Sequence, residues 1–204
     1  MTESTDNKRE LILRTALEEI NTFGLRGFTI DRLAQNLGVS KKTIYGIFST
    51  KDELIGAAFR QVQLRIQCEF QRILETQENP VVQFVGMIDV ARSVIGEFNV
   101  QVIGDLKRKY PDVWKQIETF RRNITVIFRD SFIRAREQGF IRDSIDVNIA
   151  AILHINIINQ LFYPEFFLSN NLTPRDTLTT YKEILTGGLL TEKGHRQLQN
   201  LSST

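Results

Sequence analysis

The chain has 204 residues, of which 42% are apolar and 25% are charged, and its formal net charge is +2. This composition is ordinary for a globular protein, and so small a net charge does not by itself indicate a nucleic-acid partner. The single cysteine, Cys68, excludes an intramolecular disulfide and a multi-cysteine metal site, and with only two histidines we expect neither a metal nor another cofactor.

Two further features bear on localisation. No apolar run reaches the ~18 residues that a membrane-spanning helix needs, so we expect no membrane partner. The first ten residues, MTESTDNKRE, are polar and charged, unlike a signal peptide. The sequence therefore predicts a cytoplasmic protein.

Helical periodicity runs along the whole chain, and no segment alternates between apolar and polar residues as a half-buried strand does. All four prolines fall where this periodicity breaks. We predict an all-α fold with about nine helices. The predicted ranges are 8–23, 30–37, 41–48, 52–77, 80–97, 100–109, 112–138, 147–163 and 174–190.

The first predicted helix has an apolar face. Its apolar residues recur at spacings of three and four between Ile12 and Phe23. Gly24 follows and is predicted to end the helix, because glycine readily adopts the backbone conformation found at helix ends. We expect this apolar face to pack on the two short helices that follow.

Those two short helices are separated by a tight turn. Thr29 and Ser40 are their predicted N-caps, because a hydroxyl oxygen can accept a hydrogen bond from a free N–H of the first helical turn. Gly38 is predicted to end the first of the pair. Isolated helices this short are marginal in water, so we expect packing to stabilise them.

Two adjacent lysines, Lys41 and Lys42, stand at the start of the helix predicted at 41–48. The positive end of a helix disfavours cations, and an external anion would offset that cost. At 100° per residue, Thr43 and Tyr45 lie close to the same outward surface. This pattern predicts a phosphate-binding surface with base-reading groups nearby.

A plainer interpretation has to be weighed against this one. Two lysines on a solvated helix face usually serve solubility alone, and pairs of short helices also occur in helical proteins that bind nothing there. Between Arg32 and Lys51, however, there are four cations and no acid, so the surface is locally basic. The conjunction of two capped helices, a tight turn and outward Lys, Thr and Tyr side chains favours DNA binding.

The segment FTIDRLAQNLGVSKKTIYGIFSTKDEL resembles the helix-turn-helix of the tetracycline-repressor (TetR) family of bacterial transcription regulators. The similarity covers roughly residues 8–55. It implies a DNA-binding domain over residues 1–50 and a ligand-binding and dimerisation domain over residues 51–204. It also implies a homodimeric repressor that binds double-stranded DNA at a palindromic operator and is released by a small-molecule effector.

We call the predicted DNA-binding domain, residues 1–50, together with the adjoining Lys51, the head. The resemblance further implies which side chains of the head contact DNA. The expected set is Thr29, Ser40, Lys41, Lys42, Thr43, Tyr45 and Lys51. Thr29, Tyr45 and Lys51 would mainly hold phosphates, and the lysine pair with the threonine after it would approach base edges in the major groove. Gly46 and Ile47 depart from the family, whose members often carry an aromatic residue or histidine there, so phosphate anchoring is expected to be weaker.

We call the rest of the chain, the predicted ligand-binding and dimerisation domain, the body. It is rich in large apolar side chains, and eleven of the fourteen phenylalanines lie after residue 55. Aromatic stripes at helical spacing are more often core than pocket. In the TetR family, however, the body holds a small-molecule pocket, although the resemblance identifies no ligand. Because the residues expected to line such a pocket here are mostly apolar, we expect an apolar or aromatic effector. The expected ligand-binding residues are Phe59, Val62, Ile66, Phe84, Met87, Trp114, Phe120 and Ile124.

The segment DVNIAAILHINIINQLFY is apolar on nearly every side, with Asp146 as its predicted N-cap. Such a helix is expected to be buried on nearly every side, and a partner subunit is a natural cover. The resemblance implies a two-fold interface made by the helices at 147–163 and 174–190. The expected interface residues are Ile158, Leu161, Tyr181, Leu185 and Gly188. We interpret His154 as a hydrogen-bonded interface residue rather than a catalytic base.

Two other classes of protein compete with a DNA-binding regulator. An all-α enzyme that binds a small molecule is one, but no metal-ligand spacing, phosphate loop or nucleophile–base signature supports it. A helical adaptor protein is the other. The outward Lys42, Thr43 and Tyr45 favour DNA over a protein partner.

Overall fold

The computed structural model describes residues 2–96, 98–160 and 163–201, and it confirms the all-α prediction. Eleven helices occupy the described residues, and one isolated antiparallel bridge joins Ile141 to Leu190. The helices are α1 (Thr2–Gly27), α2 (Ile30–Leu37), α3 (Lys41–Tyr45), α4 (Lys51–Thr76), α5 (Pro80–Ile95), α6 (Val100–Lys109), α7 (Pro111–Glu137), α8 (Val147–Gln160), α9 (Pro164–Asn170), α10 (Pro174–Leu189) and α11 (Glu192–Leu201).

The sequence predicted nine of these helices and missed α9 and α11. Pro164 was interpreted as a break, but it is the first residue of α9, a position that proline favours because its missing N–H has no helical partner there. α11 is largely polar and begins at a hydroxyl cap, where Gly194 N donates to Thr191 Oγ1 over 3.2 Å. The helix predicted at 41–48 ends earlier, at Tyr45.

The chain forms two compact units. The first unit contains Met1–Arg65 and Phe98–Gln116, and the second contains Ile66–Glu97 and Ile117–Thr204. α4 and α7 each contribute residues to both units. The functional division at residue 50 stays a prediction.

Local signals in the sequence determine the two short helices of the first unit. Thr29 Oγ1 accepts from Arg32 N over 3.3 Å, and Ser40 Oγ accepts from Thr43 N over 3.1 Å, which confirms both predicted N-caps. Gly38 ends α2 with φ 64° and ψ 30°, in the left-handed region. The turn between α2 and α3 is therefore fixed by Gly38 and the Ser40 cap, and Thr29 fixes the start of α2.

The three helices α1, α2 and α3 share one apolar core. Phe23, which the sequence placed on the buried face of α1, is instead 48% exposed, so that expectation is wrong. The next residue, Gly24, has a φ of 72° and a ψ of 166°, so the regular helix that starts at Thr2 is interrupted directly after Phe23. The fully buried side chains of this core include Ile12, Ala16, Ile20, Leu33, Ile44 and Phe48.

Replacing Gly38 by Ala is expected to lower the free energy of unfolding by about 1 kcal/mol, because a Cβ disfavours the left-handed conformation. Nothing lies within 4 Å of the Cβ that the substitution would add, so backbone strain is the whole effect. Urea unfolding followed by circular dichroism measures it. Gln35→Ala, an exposed change one turn earlier in α2, is the control and should leave the midpoint nearly unchanged. Equal midpoints for both variants would contradict the strain argument.

The second unit has its own core, built mainly from α5, α7 and the second half of α4, with smaller contributions from α8 and α10. Phe84 and Phe132 pack edge to face at its centre, with ring centroids 4.9 Å apart. Asp146 Oδ1 accepts from Asn148 N over 2.8 Å and from Ile149 N over 3.1 Å, which confirms it as the N-cap of α8.

Candidate nucleic-acid interface

The α3 helix presents a polar face to solvent. Ile44 is fully buried and fixes the orientation of the helix, and Tyr45, next to it, is 46% exposed. Lys42 is also exposed, and among the described residues it has no ion-pair partner. The predicted head residues Thr29, Ser40, Lys41, Lys42 and Tyr45 are all exposed, as a contact surface requires.

Two hydroxyl groups at the start of α3 hold each other in place. Ser40 Oγ and Thr43 Oγ1 lie 2.9 Å apart and share a hydrogen bond. The Thr43 side chain is half-buried beside this cap. Both hydroxyls keep unused lone pairs and are restricted to one geometry, which favours recognition of a rigid surface such as a DNA groove.

Lys41 differs from Lys42 in its electrostatic surroundings. Its Nζ lies 2.8 Å from Asp31 Oδ1, in the first turn of α2. The hydrogen bond to that carboxylate, followed by its charge, raises the pKa of Lys41. The pair is exposed and contributes little to stability. It leaves Lys42 as the less neutralised of the two lysines.

Lys51 makes an internal contact that the sequence did not reveal. Its amine donates to the carbonyl oxygen of Phe28 and lies 5.3 Å from the centroid of that residue's ring. The start of α4 is thereby tied to the residue before Thr29. A pairing across 23 positions of the chain leaves no local signal in the sequence.

Lys51→Ala is expected to lower the free energy of unfolding by about 1 kcal/mol, because the Phe28 carbonyl loses a charged donor. Lys42→Ala removes the same charge from an exposed site and serves as the control. Urea midpoints of the two variants should therefore differ. If Lys51→Ala unfolds at the same midpoint as the control, the contact to Phe28 does not stabilise the head.

Two more contacts of the head were missed by the sequence interpretation. The Arg32 guanidinium lies 4.0 Å from the centroid of the exposed Phe23 ring. Glu19, buried in α1, accepts from the Asn36 side-chain amide over 3.3 Å. Acidic residues are rarely buried, so only the three-dimensional structure identifies this link between α1 and α2.

The predicted ligand-binding residues are distributed over both units. Four of the eight meet in the core of the second unit, where Phe84 and Met87 are fully buried and Ile66 and Ile124 pack against them. Phe120 is half-buried in the same unit. The other three, Phe59, Val62 and Trp114, belong to the first unit.

The predicted interface residues differ in exposure. Ile158 and Leu185 are half-buried, Gly188 is exposed, and Tyr181 is buried within its own unit. Leu161 lies outside the described residues.

A different set of apolar side chains faces solvent. On α8, Ile152 and Leu153 are 58% and 57% exposed, and on α10 Ile184 is 67% exposed. We call this set, with its neighbours on the same helices, the α8–α10 patch. Its members are Ile149, Ile152, Leu153, Ile157 and Ile184.

His154 lies on the inner side of α8, opposite the patch. It is 1% exposed, and its Nδ1 lies 2.6 Å from the Tyr181 hydroxyl oxygen on α10. The ring centroids of Phe128 and Phe132 lie 4.2 and 5.6 Å from that of the imidazole. Burial lowers the pKa of His154 to about 3 and raises the pKa of Tyr181, so both groups are neutral near pH 7.

The buried His154 makes stability depend on pH. The pKa of His154 is about 3 in the folded chain and about 6.5 in the unfolded chain. As the pH falls, the imidazole is therefore protonated in the unfolded chain before it is protonated in the folded one. Its stabilising contribution is therefore complete above pH 6.5 and is lost as the pH falls towards 3. We expect this group to lower the free energy of unfolding by about 2 kcal/mol between pH 7 and pH 5.

Urea unfolding at the two pH values measures the effect, with His154→Gln as the control. That variant should be less stable at pH 7 but should lose less stability on acidification. An equal pH dependence in both proteins would show that His154 does not cause it.

The capped α2–α3 pair, with a buried inner face and a polar outer face, defines a helix-turn-helix protein of the DNA-binding class. The family model of the bacterial regulatory proteins of the tetR family matches residues 12–58, which include this whole element. Over these residues the chain is similar to the TetR family. The proteins that the chain resembles are transcriptional regulators rather than enzymes, which disfavours the enzyme alternative.

Relatives of the chain agree with this assignment. The HTH-type transcriptional regulator YvaF of Bacillus subtilis is 26% identical over 167 residues, covering 81% of this chain and 87% of that protein. The class C tetracycline repressor protein of Escherichia coli is 44% identical over 50 residues, which are 24% of this chain and 23% of that one. The second similarity is therefore short.

Solved structures share the fold at low sequence identity. A TetR transcription regulator from Haloarcula marismortui superimposes with a TM-score of 0.70 and 13% identity, covering 91% of this chain and all of that chain (100%). A TetR transcriptional regulator from Chloroflexus aurantiacus has a TM-score of 0.66 and 19% identity, and the match covers 93% of this chain and 100% of that chain. Among the described residues of this chain, no helix is long and apolar enough to span a membrane.

Proposed function

We propose that the protein is a homodimeric repressor that binds a palindromic operator and is released by a small apolar or aromatic effector. The observation that carries the DNA-binding part is the outer face of α3. There, Lys42 and Tyr45 are exposed beside the buried Ile44, on a helix fixed by hydroxyl caps. A rigid short helix with cationic and hydrogen-bonding side chains suits the major groove.

Within this proposal the head residues have different roles. Lys42 and the Ser40–Thr43 hydroxyl pair approach base edges. Thr29 and Tyr45 hold phosphates on either side of the groove. Lys51 positions Thr29 through its bond to the Phe28 carbonyl, and Lys41 is held by Asp31 until phosphate competes for it.

The α8–α10 patch supports the homodimer. On α8, Ile149, Ile152, Leu153 and Ile157 are spaced by three, one and four residues, so they lie on one side of the helix. Contiguous exposed apolar side chains of this kind typically mark a protein interface. Gly187 and Gly188 of α10 have nothing within 4 Å of the position of a Cβ, so a partner helix can approach closely there.

We place the effector in the second unit, against the group formed by Ile66, Phe84, Met87 and Ile124. These side chains belong to one cluster, and their apolar character supports an apolar ligand. Residues 66–76 of α4 lie in that unit, and the same helix begins at Lys51 in the first unit. We propose that α4 transmits effector binding to the head.

Selection of duplexes from a random DNA pool tests the operator proposal. The enriched sequences should contain an inverted repeat with half-sites about 34–36 Å, or one helical turn, apart. A single unrepeated motif would contradict binding by a two-fold dimer. No enrichment at all would contradict sequence-specific regulation.

Calorimetry with and without the selected operator tests effector control. Linkage requires that DNA weaken effector binding by the same factor that the effector weakens DNA binding, with a coupling of about 1–3 kcal/mol. Equal effector affinities in both titrations would show that the body does not control the head.

A further inference from the structure

The neutral His154–Tyr181 pair in the second unit leaves one polar atom without a partner. His154 Nε2 is buried, and among the described residues it forms no hydrogen bond. Its only hydrogen-bonded neighbour in the described structure acts at the other nitrogen, where the Tyr181 hydroxyl lies 2.6 Å from Nδ1. Buried polar atoms are nearly always satisfied, so such an exception calls for an explanation.

Counting the hydrogens determines which tautomer is present. If Nδ1–H donated to Tyr181, both the phenolic proton and the Nε2 lone pair would be left unsatisfied. If the phenol donates to Nδ1, only the Nε2–H is unsatisfied. The second arrangement leaves fewer unsatisfied groups, and it makes Nε2 a hydrogen-bond donor. The missing partner is therefore an acceptor.

The surroundings of Nε2 restrict what this acceptor can be. The imidazole lies among the rings of Phe128, Phe132 and Tyr181, with centroid separations of 4.2, 5.6 and 5.6 Å. A buried water normally needs two to four polar partners, and these rings supply none besides the phenol already engaged. A second subunit packs on the surface of this unit and does not reach an atom inside it, whereas a small molecule can insert between side chains of the core.

We infer that His154 Nε2 is the recognition donor for an uncharged apolar effector that carries a carbonyl oxygen, as ketones, esters and lactones do. A carbonyl oxygen needs only one hydrogen-bond donor. The apolar groups on either side of that carbonyl would pack against the imidazole, where Phe128 and Phe132 now contact it. This inference rests on the proposed ligand-responsive function and adds the chemistry of the ligand. It also places the polar end of the ligand at α8, which the sequence assigned only to the interface.

Acetophenone and ethylbenzene are suitable probes, because they differ in one carbonyl oxygen and are otherwise similar in size. In protein labelled with ¹⁵N-histidine, only His154 and His195 give ring signals. Without a probe, the His154 spectrum should show a protonated Nε2 and an unprotonated Nδ1. Acetophenone should shift the Nε2–H signal saturably and bind about tenfold more tightly than ethylbenzene. The His195 signals serve as the internal reference.

Two variants complete the test. His154→Phe should bind both probes with the same affinity. Tyr181→Phe keeps the imidazole but no longer holds it in one tautomer, so this variant should show a smaller preference for acetophenone over ethylbenzene than the tenfold expected of the unmodified protein. A protonated Nδ1 without probe, equal affinities in the unmodified protein, or binding without an Nε2 shift would each overturn the inference. Operator binding by the same samples separates the two proposals. If the probe-free protein binds its operator but acetophenone gives no Nε2 response, only the inference is refuted. If the Nε2 response is normal but the probe-free protein binds no operator, only the proposed function is refuted.

Discussion

Replacing Ile152 by Asp should convert the protein from two chains to one in solution. Ile152 belongs to the α8–α10 patch and is 58% exposed, so in a single chain the new carboxylate would remain hydrated. In a dimer it would be buried without a partner, at a cost of several kcal/mol for each subunit. Light scattering at micromolar concentration should therefore give the mass of one chain for the variant and of two for the unmodified protein.

Leu64→Asp is the matched control for this prediction. Leu64 is 59% exposed on α4, so the change in polarity and in exposed area is nearly the same. That variant should keep the mass of two chains and the same helical content. A mass of one chain for the unmodified protein would contradict the dimer, and a two-chain mass for Ile152→Asp would place the interface elsewhere.

Lys42→Ala should change which DNA sequence the protein prefers. The side chain is exposed on α3 and lacks an ion pair in the described structure, so it is available to base-edge acceptors. Loss of a good base contact costs about 1–3 kcal/mol of discrimination, so affinity for the operator should fall about tenfold or more. Selection repeated with the variant should return a motif that is relaxed at the contacted position.

Lys109→Ala provides the matched control. It removes the same charge from an exposed lysine at the end of α6 and should leave the selected motif unchanged. An unaltered motif for Lys42→Ala would show that this side chain reads no base. A uniform loss of affinity for all sequences would assign it to phosphate contact instead.

The sequence predicted those features of the fold that depend on near neighbours. The caps at Thr29, Ser40 and Asp146 and the left-handed Gly38 each involve residues within a few positions, and the structure confirms all four. The long helices were predicted for a similar reason, since apolar spacing of three and four is a repeated local signal.

Features that depend on distant residues were not predictable in this way. Lys41 pairs with Asp31 across the turn, and Lys51 binds the Phe28 carbonyl, so the side-chain environment of the lysines differs from that expected. Which side of α8 faces the core was also not predictable from the sequence. Its apolar residues occur on both sides, and only packing shows that His154 faces inward and Ile152 outward.

The most direct measurement of the proposed function is the salt dependence of binding to the selected operator and to a scrambled duplex of equal length. If the protein contacts phosphates through cationic side chains, its binding releases counterions from the DNA. Its affinity for both duplexes should therefore fall steeply between about 50 and about 200 mM salt. At physiological salt the operator should bind about a thousandfold more tightly than the scrambled duplex, or better. Equal affinities for the two duplexes, or a log–log slope near zero, would contradict a sequence-specific DNA-binding regulator.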